Sequence, residues 1–227
     1  MRDFLLNHGP LIVSVLCALE LLFGILLFVR YRKSNRKVTL WMALISLALC
    51  YDACVLAIGS YLPEGLLRIL SQFRFIFHGC MIPLLLPICA EALNFKKNVR
   101  TIVYAVTAVI MIVGAVCGIL TKLEISHVAG ITRCLSAETT PKFADTFLRI
   151  LSYGTVVPLI LGGIFVWLKQ KTPALFLSGL LMFAFSALGP ATGNFDLIFM
   201  IGMFGELFMI LFFYIYMRVG RDRMILF

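Results

Sequence analysis

Charged residues are scarce in this sequence of 227 residues. Asp, Glu, Lys and Arg make up only 14% of it, whereas soluble proteins contain about 25%. Apolar residues account for 62% of the chain and the mean hydropathy is +1.03. This composition excludes a soluble globular protein, and we expect one integral membrane domain over residues 1–227.

Residues that bind metals or form disulfides are also few or scattered. The chain has three His, and its seven Cys form no Cys-x-x-Cys pair and no cluster with His. Six of the Cys fall in apolar runs, where Cys behaves as a small hydrophobic residue. Cys134 stands alone in a polar connection, so we expect reagents outside the cell to label it. We predict no metal site, no cofactor and no disulfide framework.

Seven apolar stretches approach or exceed the roughly 20 residues that a helix needs to cross a bilayer. They predict an all-α membrane protein, a bundle of seven transmembrane helices. The spans are expected at residues 10–29, 38–61, 66–93, 101–123, 147–168, 173–188 and 196–217. The sixth is the weakest of the seven. A tight turn at 189–194 precedes the last, which Asp196 or Asn194 would cap.

Basic residues are distributed unevenly between the two ends of these spans. Thirteen of the twenty Lys and Arg residues follow spans one, three, five and seven. The positive-inside rule then predicts an outside N-terminus and a cytoplasmic C-terminus. The net charge of +9 is explained by this bias and by anionic lipid headgroups. We therefore expect the lipid bilayer, and no nucleic acid, as partner, with the protein in the plasma membrane.

Span three carries polar residues well inside the membrane. Arg74 and His78 are four residues apart, so they lie on one helical face, about 12 and 18 Å from the start of the span. A guanidinium at that depth costs at least about 2.5–3.5 kcal/mol unless it is paired or hydrated. Pro83 and Pro87 follow, and each leaves a backbone carbonyl without its usual donor. Polar groups beside loosened backbone are typical of binding sites within membranes.

Three other spans each carry one acidic residue near the middle. Because three carboxyl groups face one fixed cation, either a carboxyl group binds a proton or a cation completes the cluster. The alternative is a purely structural network, in which Arg74 forms a salt bridge with Asp52 or Glu206. We predict that a ligand or ion binds here, at Glu20, Asp52, Arg74, His78 and Glu206.

Three classes of function agree with such a site. A small-molecule or ion transporter, with proton coupling as an option, fits the titratable groups and the proline-interrupted helix. A seven-helix sensor would bind a ligand and signal through a separate protein partner; retinal is excluded, because the last span lacks a Lys. An intramembrane lipid-modifying enzyme would use Asp52, His78 and Glu206 for acid–base chemistry. A homo-oligomer is compatible with each class.

Two local features predict packing rather than function. Gly114 and Gly118 form a Gly-x-x-x-Gly motif in span four, which lets another helix approach closely. Glu91, near the basic end of span three, is expected to pair with Lys96 or Arg100.

Overall fold

The computed structural model describes residues 2–191, 193 and 197–224. Most of them are helical, with one short hairpin between the fifth and sixth helices. The helices are α1 (Arg2–Ser34), α2 (Lys37–Ile58), α3 (Glu64–Met81), α4 (Leu85–Ala92), α5 (Lys97–Leu120), α6 (Lys142–Gln170), α7 (Ala174–Ala191) and α8 (Ile198–Met224). The strands are β1 (Leu123–Val128) and β2 (Ile131–Ser136), and 3₁₀ turns cover Gly59–Tyr61 and Ile82–Leu84.

Six helical segments in the described part of the chain are long and apolar enough to cross a membrane. They are Phe4–Ser34, Lys37–Tyr61, Glu64–Ala92, Lys97–Leu120, Lys142–Gln170 and Ile198–Val219. The chain is therefore a helical protein of the integral membrane type. The predicted sixth span is a shorter apolar helix, Ala174–Leu188, so the count of seven spans stays a prediction.

The start of the last span differs from the sequence prediction. α7 continues to Ala191, so the first three residues of the predicted turn at 189–194 are helical. The two predicted caps, Asn194 and Asp196, lie outside the described residues.

The predicted polar connection at 124–146 contains an antiparallel hairpin. Its register runs from Leu123 opposite Ser136 to Val128 opposite Ile131. Ala129 and Gly130 form the turn with φ of 54° and 74°, and positive φ at both positions suits the twist of a two-residue hairpin.

The hairpin packs on the ends of α1, α2 and α3. The Ser60 hydroxyl donates to the Gly130 carbonyl over 3.0 Å and accepts from the Thr132 amide over 2.9 Å. Cys134 is 1% exposed beneath the hairpin, against Val55 and Leu67. The expectation that Cys134 is accessible is therefore wrong, because β2 turns this side chain toward the helices. We call this side of the bundle the hairpin end and the opposite side the basic end.

The prolines of the third span interrupt its helix, as the sequence predicted. α3 ends at Met81 and α4 begins at Leu85, and the amide of Leu85 bonds to the carbonyls of Ile82 and Pro83. The 3₁₀ turn between them tightens the backbone one turn after His78.

The Gly-x-x-x-Gly motif packs α5 against α3. A Cβ atom at Gly114 would collide with the backbone of Gly79, and one at Gly118 with the backbone of Ile76. The predicted close helix approach is therefore confirmed, and it holds the α3 segment that carries Arg74 and His78 against α5.

Two apolar clusters fill the interior of the bundle, one toward each end. The cluster at the basic end includes Leu27, Ile45, Leu85, Leu159 and Phe213. The cluster at the hairpin end includes Val13, Leu56, Ile131, Leu197 and Met200. The residues between them along α1, α2 and α8 form a polar layer.

Candidate functional site

The polar layer brings acidic residues from three helices to one level of the bundle. On α1, α2 and α8, a single acidic residue lies between the members of the two apolar clusters: Glu20, Asp52 and Glu206. Arg74 and His78 enter the same layer from α3, just before the 3₁₀ turn.

Arg74 forms an ion pair with Asp52. Its Nε donates to Asp52 Oδ1, and the two side chains are 13% and 22% exposed. Of the two partners considered from sequence, the structure therefore shows Asp52 and not Glu206. Arg74 Nη1 is buried and has no hydrogen-bond partner among the described residues, so the guanidinium has a donor to spare.

His78 pairs with a residue that the sequence analysis missed. His78 Nε2 lies 3.1 Å from Ser152 Oγ, and the Ser152 hydroxyl donates to the Leu148 carbonyl over 3.1 Å. Because the hydroxyl proton is used in that bond, Nε2 is the donor to Oγ. The sequence contained little that points to Ser152. The pentapeptide LRILS occurs at 67–71 and again at 148–152, but chance recurrence in a leucine-rich chain is the better explanation.

Two adjoining cavities share the ion pair and the His78–Ser152 pair. The first, about 280 Å³, reaches the hairpin and the start of α6; we call it the polar lobe. The second, about 290 Å³, lies between α2, α3, α6, α7 and α8; we call it the apolar lobe. Both are lined by Asp52, Arg74, His78, Arg149 and Ser152.

The mouth of the polar lobe lies at the hairpin end. Ser136 from β2 and Asp145 and Arg149 from α6 line it. Arg149 Nε donates to Asp145 Oδ2 over 2.8 Å, and the Arg149 side chain is 76% exposed. The cavity is therefore open to its surroundings at this end.

Glu206 lines the apolar lobe from α8. It is 8% exposed, and Oε2 is buried without a hydrogen-bond partner in the described structure. Gly202, one turn earlier, lines the same lobe and has open space where a side chain would be. The lobe therefore has open space one helical turn from the Glu206 side chain.

Glu20 is the one predicted site residue that lines neither lobe. It is fully buried, and neither carboxyl oxygen has a partner within the described residues. It lies behind the site, in electrostatic range of Asp52 and Glu206. Next to it, α1 and α2 are joined by reciprocal bonds of 3.7 Å, in which the thiols of Cys17 and Cys50 each donate to the other's carbonyl.

The chemistry available in the cavity is that of hydrogen bonds and ion pairs. Among residues 2–191, 193 and 197–224, no group of three or more His, Cys, Asp and Glu side chains could hold a metal ion. The residues that line the cavity carry a guanidinium and a carboxyl group, each with one buried atom that has no partner in the described structure, together with an imidazole, two or more hydroxyl groups and an apolar wall.

Comparison with known proteins assigns neither a family nor a function to this chain. The sequence matches no protein-family model, and no curated protein is significantly similar to it.

Proposed function

We propose that this protein is a transporter that carries a small polar solute across the plasma membrane, with the Arg74–Asp52 pair at the centre of the solute site. The observation that carries the proposal is a pair of spare polar atoms, Arg74 Nη1 and Glu206 Oε2. Both belong to residues that line the apolar lobe. Unpaired polar atoms in an interior are costly, and a solute that forms hydrogen bonds with them would remove this cost.

The opening of the polar lobe at the hairpin end supports transport. The polar lobe opens at the hairpin end, whereas the larger apolar cluster closes the basic end around Ile45, Leu85 and Phe213. A transporter must alternate between two such one-sided states. The 3₁₀ turn at Ile82–Leu84 lies between the polar layer and the closed end, and it is the place where we propose that the bundle bends.

The proposed orientation puts the N-terminus and the hairpin outside and all seven predicted spans across the membrane. Because Cys134 is buried, the test uses new cysteines at exposed positions, Glu138→Cys at the hairpin end and Lys97→Cys at the basic end. An impermeant maleimide should label the first and not the second in intact cells. The reverse labelling would overturn the orientation.

Proton coupling is part of the proposal, since Glu20 and Glu206 lack a bonded cation in the described structure. A charged carboxylate without a partner is costly inside a membrane, and binding a proton removes that cost. Proton uptake from one side and release to the other would drive the solute.

Proteoliposomes test transport directly. Purified protein is reconstituted and exposed to a mixture of amino acids, organic acids, amines and sugars, and the contents of the vesicles are measured by mass spectrometry. We expect one class of solute to accumulate with the wild type and with the control Glu64→Gln, on an exposed position at the start of α3, and not with Glu206→Gln. Saturable binding without accumulation would favour the sensor instead.

The His78–Ser152 pair favours a second candidate, an intramembrane enzyme that cleaves lipid esters. Ser152 Oγ would attack the ester carbonyl and pass its proton to His78 Nε2. The hydroxyl must first rotate away from the Leu148 carbonyl, to which it now donates, and the imidazole must carry its proton on Nδ1, so that Nε2 is free to accept one. A fluorophosphonate probe that labels the wild type and not Ser152→Ala would support this candidate, and an unlabelled wild type would exclude it.

A further inference from the structure

We infer that the solute of this cavity is a zwitterion with an apolar side group: Arg74 binds its acidic group, Glu206 binds its amine, and the apolar lobe holds the rest. The inference rests on the proposed function, because it names the class of solute for the same site.

The acidic group is assigned to Arg74. Its Nε is used by Asp52, while Nη1 is buried and unpartnered in the described structure. A guanidinium presents its donors in a planar fork that suits a carboxylate or phosphate. The other arginine of the cavity, Arg149, has its Nε engaged by Asp145 at the exposed rim, so Arg74 is the donor inside.

The amine is assigned to Glu206. Its Oε2 is buried without a donor among the described residues, and the missing partner is a hydrogen-bond donor. Asp52 lines the same lobe, but its Oδ1 already accepts from Arg74. A protonated amine beside the ionised form of Glu206 would supply both the donor and the opposite charge, so the solute and the coupled proton would compete for this carboxylate.

The charged residues of the two lobes together favour a ligand that carries both signs of charge. They are two arginines and three acids, Arg74, Arg149, Asp52, Asp145 and Glu206. Arg74 is paired with Asp52 and Arg149 with Asp145, so Glu206 is left without a bonded cation in the described structure. A simple anion would add to this negative charge in a low-dielectric site, and a simple cation would leave the Arg74 donor without an acceptor. A zwitterion supplies both partners.

The apolar group of the solute is assigned to the wall opposite the ion pair. Val156, Met182, Phe199 and Met203 form much of this wall. At about 290 Å³, the lobe is at the lower end of the volumes of ligand pockets. A group the size of a phenyl ring or a short alkyl chain suits it.

Two sources could supply this chemistry. A free apolar amino acid would enter from the hairpin end through the polar lobe. A lysophosphatidylethanolamine carries a phosphate as its acidic group and also an amine, and it would enter from the bilayer between α6 and α7. Tyr153 and Phe183 of these helices line the apolar lobe and are 49% and 39% exposed, whereas close contacts at Gly163 and Gly179 join the two helices farther toward the basic end.

A set of related probes tests the inference on the full-length protein in detergent. The probes are phenylalanine, 3-phenylpropionate without the amine, phenethylamine without the carboxylate, glycine without the apolar group, and lysophosphatidylethanolamine. We expect phenylalanine or the lysolipid to raise the Tm in a saturable way. The three incomplete probes should bind at least tenfold more weakly than phenylalanine, if phenylalanine is the source. A response to the lysolipid alone would assign the bilayer as the source.

Glu206→Gln supplies the matched variant, because it keeps the shape of the side chain and removes its charge. Affinity for the amine-bearing probe should fall at least tenfold, while affinity for 3-phenylpropionate stays level or rises. Glu64→Gln should change neither. Equal binding of 3-phenylpropionate and phenylalanine by the wild type would overturn the inference.

The outcome also separates this inference from the proposed function. If no probe binds but proteoliposomes accumulate a solute of another class, the zwitterion is wrong and the transporter stands. If the probes bind and nothing accumulates, the ligand class stands and transport is wrong.

Discussion

Two ion pairs on the interrupted third span of the bundle can be compared directly. In the polar layer, Arg74 pairs with Asp52, and its buried Nη1 has no partner among the described residues. At the basic end, Glu91 receives Arg100 Nη1 at 3.2 and 3.1 Å on its two oxygens, and the Tyr104 hydroxyl as well. The second pair leaves none of the Glu91 oxygens without a partner. The difference indicates that the Glu91 pair joins α4 to α5. The Arg74 guanidinium instead keeps one N–H donor that no described residue accepts and that a ligand could use.

Solvent access differs between the two arginines, although the two acids are about equally exposed. Arg74 and Asp52 are 13% and 22% exposed, and Arg100 and Glu91 are 33% and 23% exposed. An ion pair near water or headgroups contributes little because its partners are well solvated when apart. A pair inside the bundle leaves an uncompensated charge when one member is lost. The two pairs should therefore respond very differently to the same substitution.

The largest effect is expected for Arg74→Ala. The substitution leaves Asp52 ionised and unpaired in the polar layer, which should lower the free energy of unfolding by about 3–5 kcal/mol. Asp52→Asn in the same chain should restore part of this loss, whereas Glu206→Gln should not, because Glu206 is not the bonded partner. Thermal unfolding of the single and double variants in detergent measures the coupling. Strict additivity of Arg74→Ala and Asp52→Asn would show that the pair is not formed.

Much of the polar layer could be predicted from sequence. A charged residue in the middle of an apolar span is costly unless it is paired, protonated or hydrated, so such residues are expected to lie together inside the bundle. The depth of Arg74, Asp52 and Glu206 follows from counting residues along each span. Their directions around the helix axes do not follow, since these depend on how the helices rotate against one another. For this reason the choice of Asp52 over Glu206, and the position of Glu20 behind the cavity, required the structure.

Ser152 and the hairpin were missed for different physical reasons. A single hydroxyl in an apolar helix bonds to its own backbone as readily as to a ligand, so nothing in the sequence distinguishes Ser152 from Ser178. The hairpin strands are six residues each, too short and too polar to stand out from a loop. The wrong expectation for Cys134 has the same origin, because the face that a short strand buries depends on what lies beneath it.

A second comparison sets Glu20 against the paired Asp52. Neither oxygen of Glu20 has a partner in the described structure. The buried carboxyl group therefore lowers the stability of the folded protein, whether or not it also carries a proton. Glu20→Leu should therefore raise the free energy of unfolding by about 1–3 kcal/mol, the usual cost of a buried unsatisfied polar group. Chemical or thermal unfolding in detergent checks this. A loss of stability would mean that Glu20 is paired in the folded protein.

Glu206→Gln sharpens the contrast between stability and function. Glu206 has a spare oxygen and no bonded cation among the described residues, so the variant should keep the wild-type Tm. Accumulation of solute in proteoliposomes should fall at least tenfold, which corresponds to about 1.4 kcal/mol. An imposed pH gradient should no longer change the accumulation that the variant still shows. If accumulation responds to the gradient as in the wild type, the proton is carried elsewhere in the layer.

The smallest effect is expected for Arg100→Ala. The side chain is one-third exposed, so its charge is solvated by water or lipid headgroups with or without Glu91. Glu91 would keep the Tyr104 hydroxyl as a donor, and the free energy of unfolding should fall by no more than about 1 kcal/mol.

Tyr104→Phe in the same chain removes that remaining donor and should cost more than either change alone. Unfolding of Arg100→Ala, Tyr104→Phe and the double variant measures this coupling beside the Arg74 series. A loss for Arg100→Ala as large as for Arg74→Ala would show that burial is not what separates the two pairs, and the spare donor of Arg74 would then need another explanation.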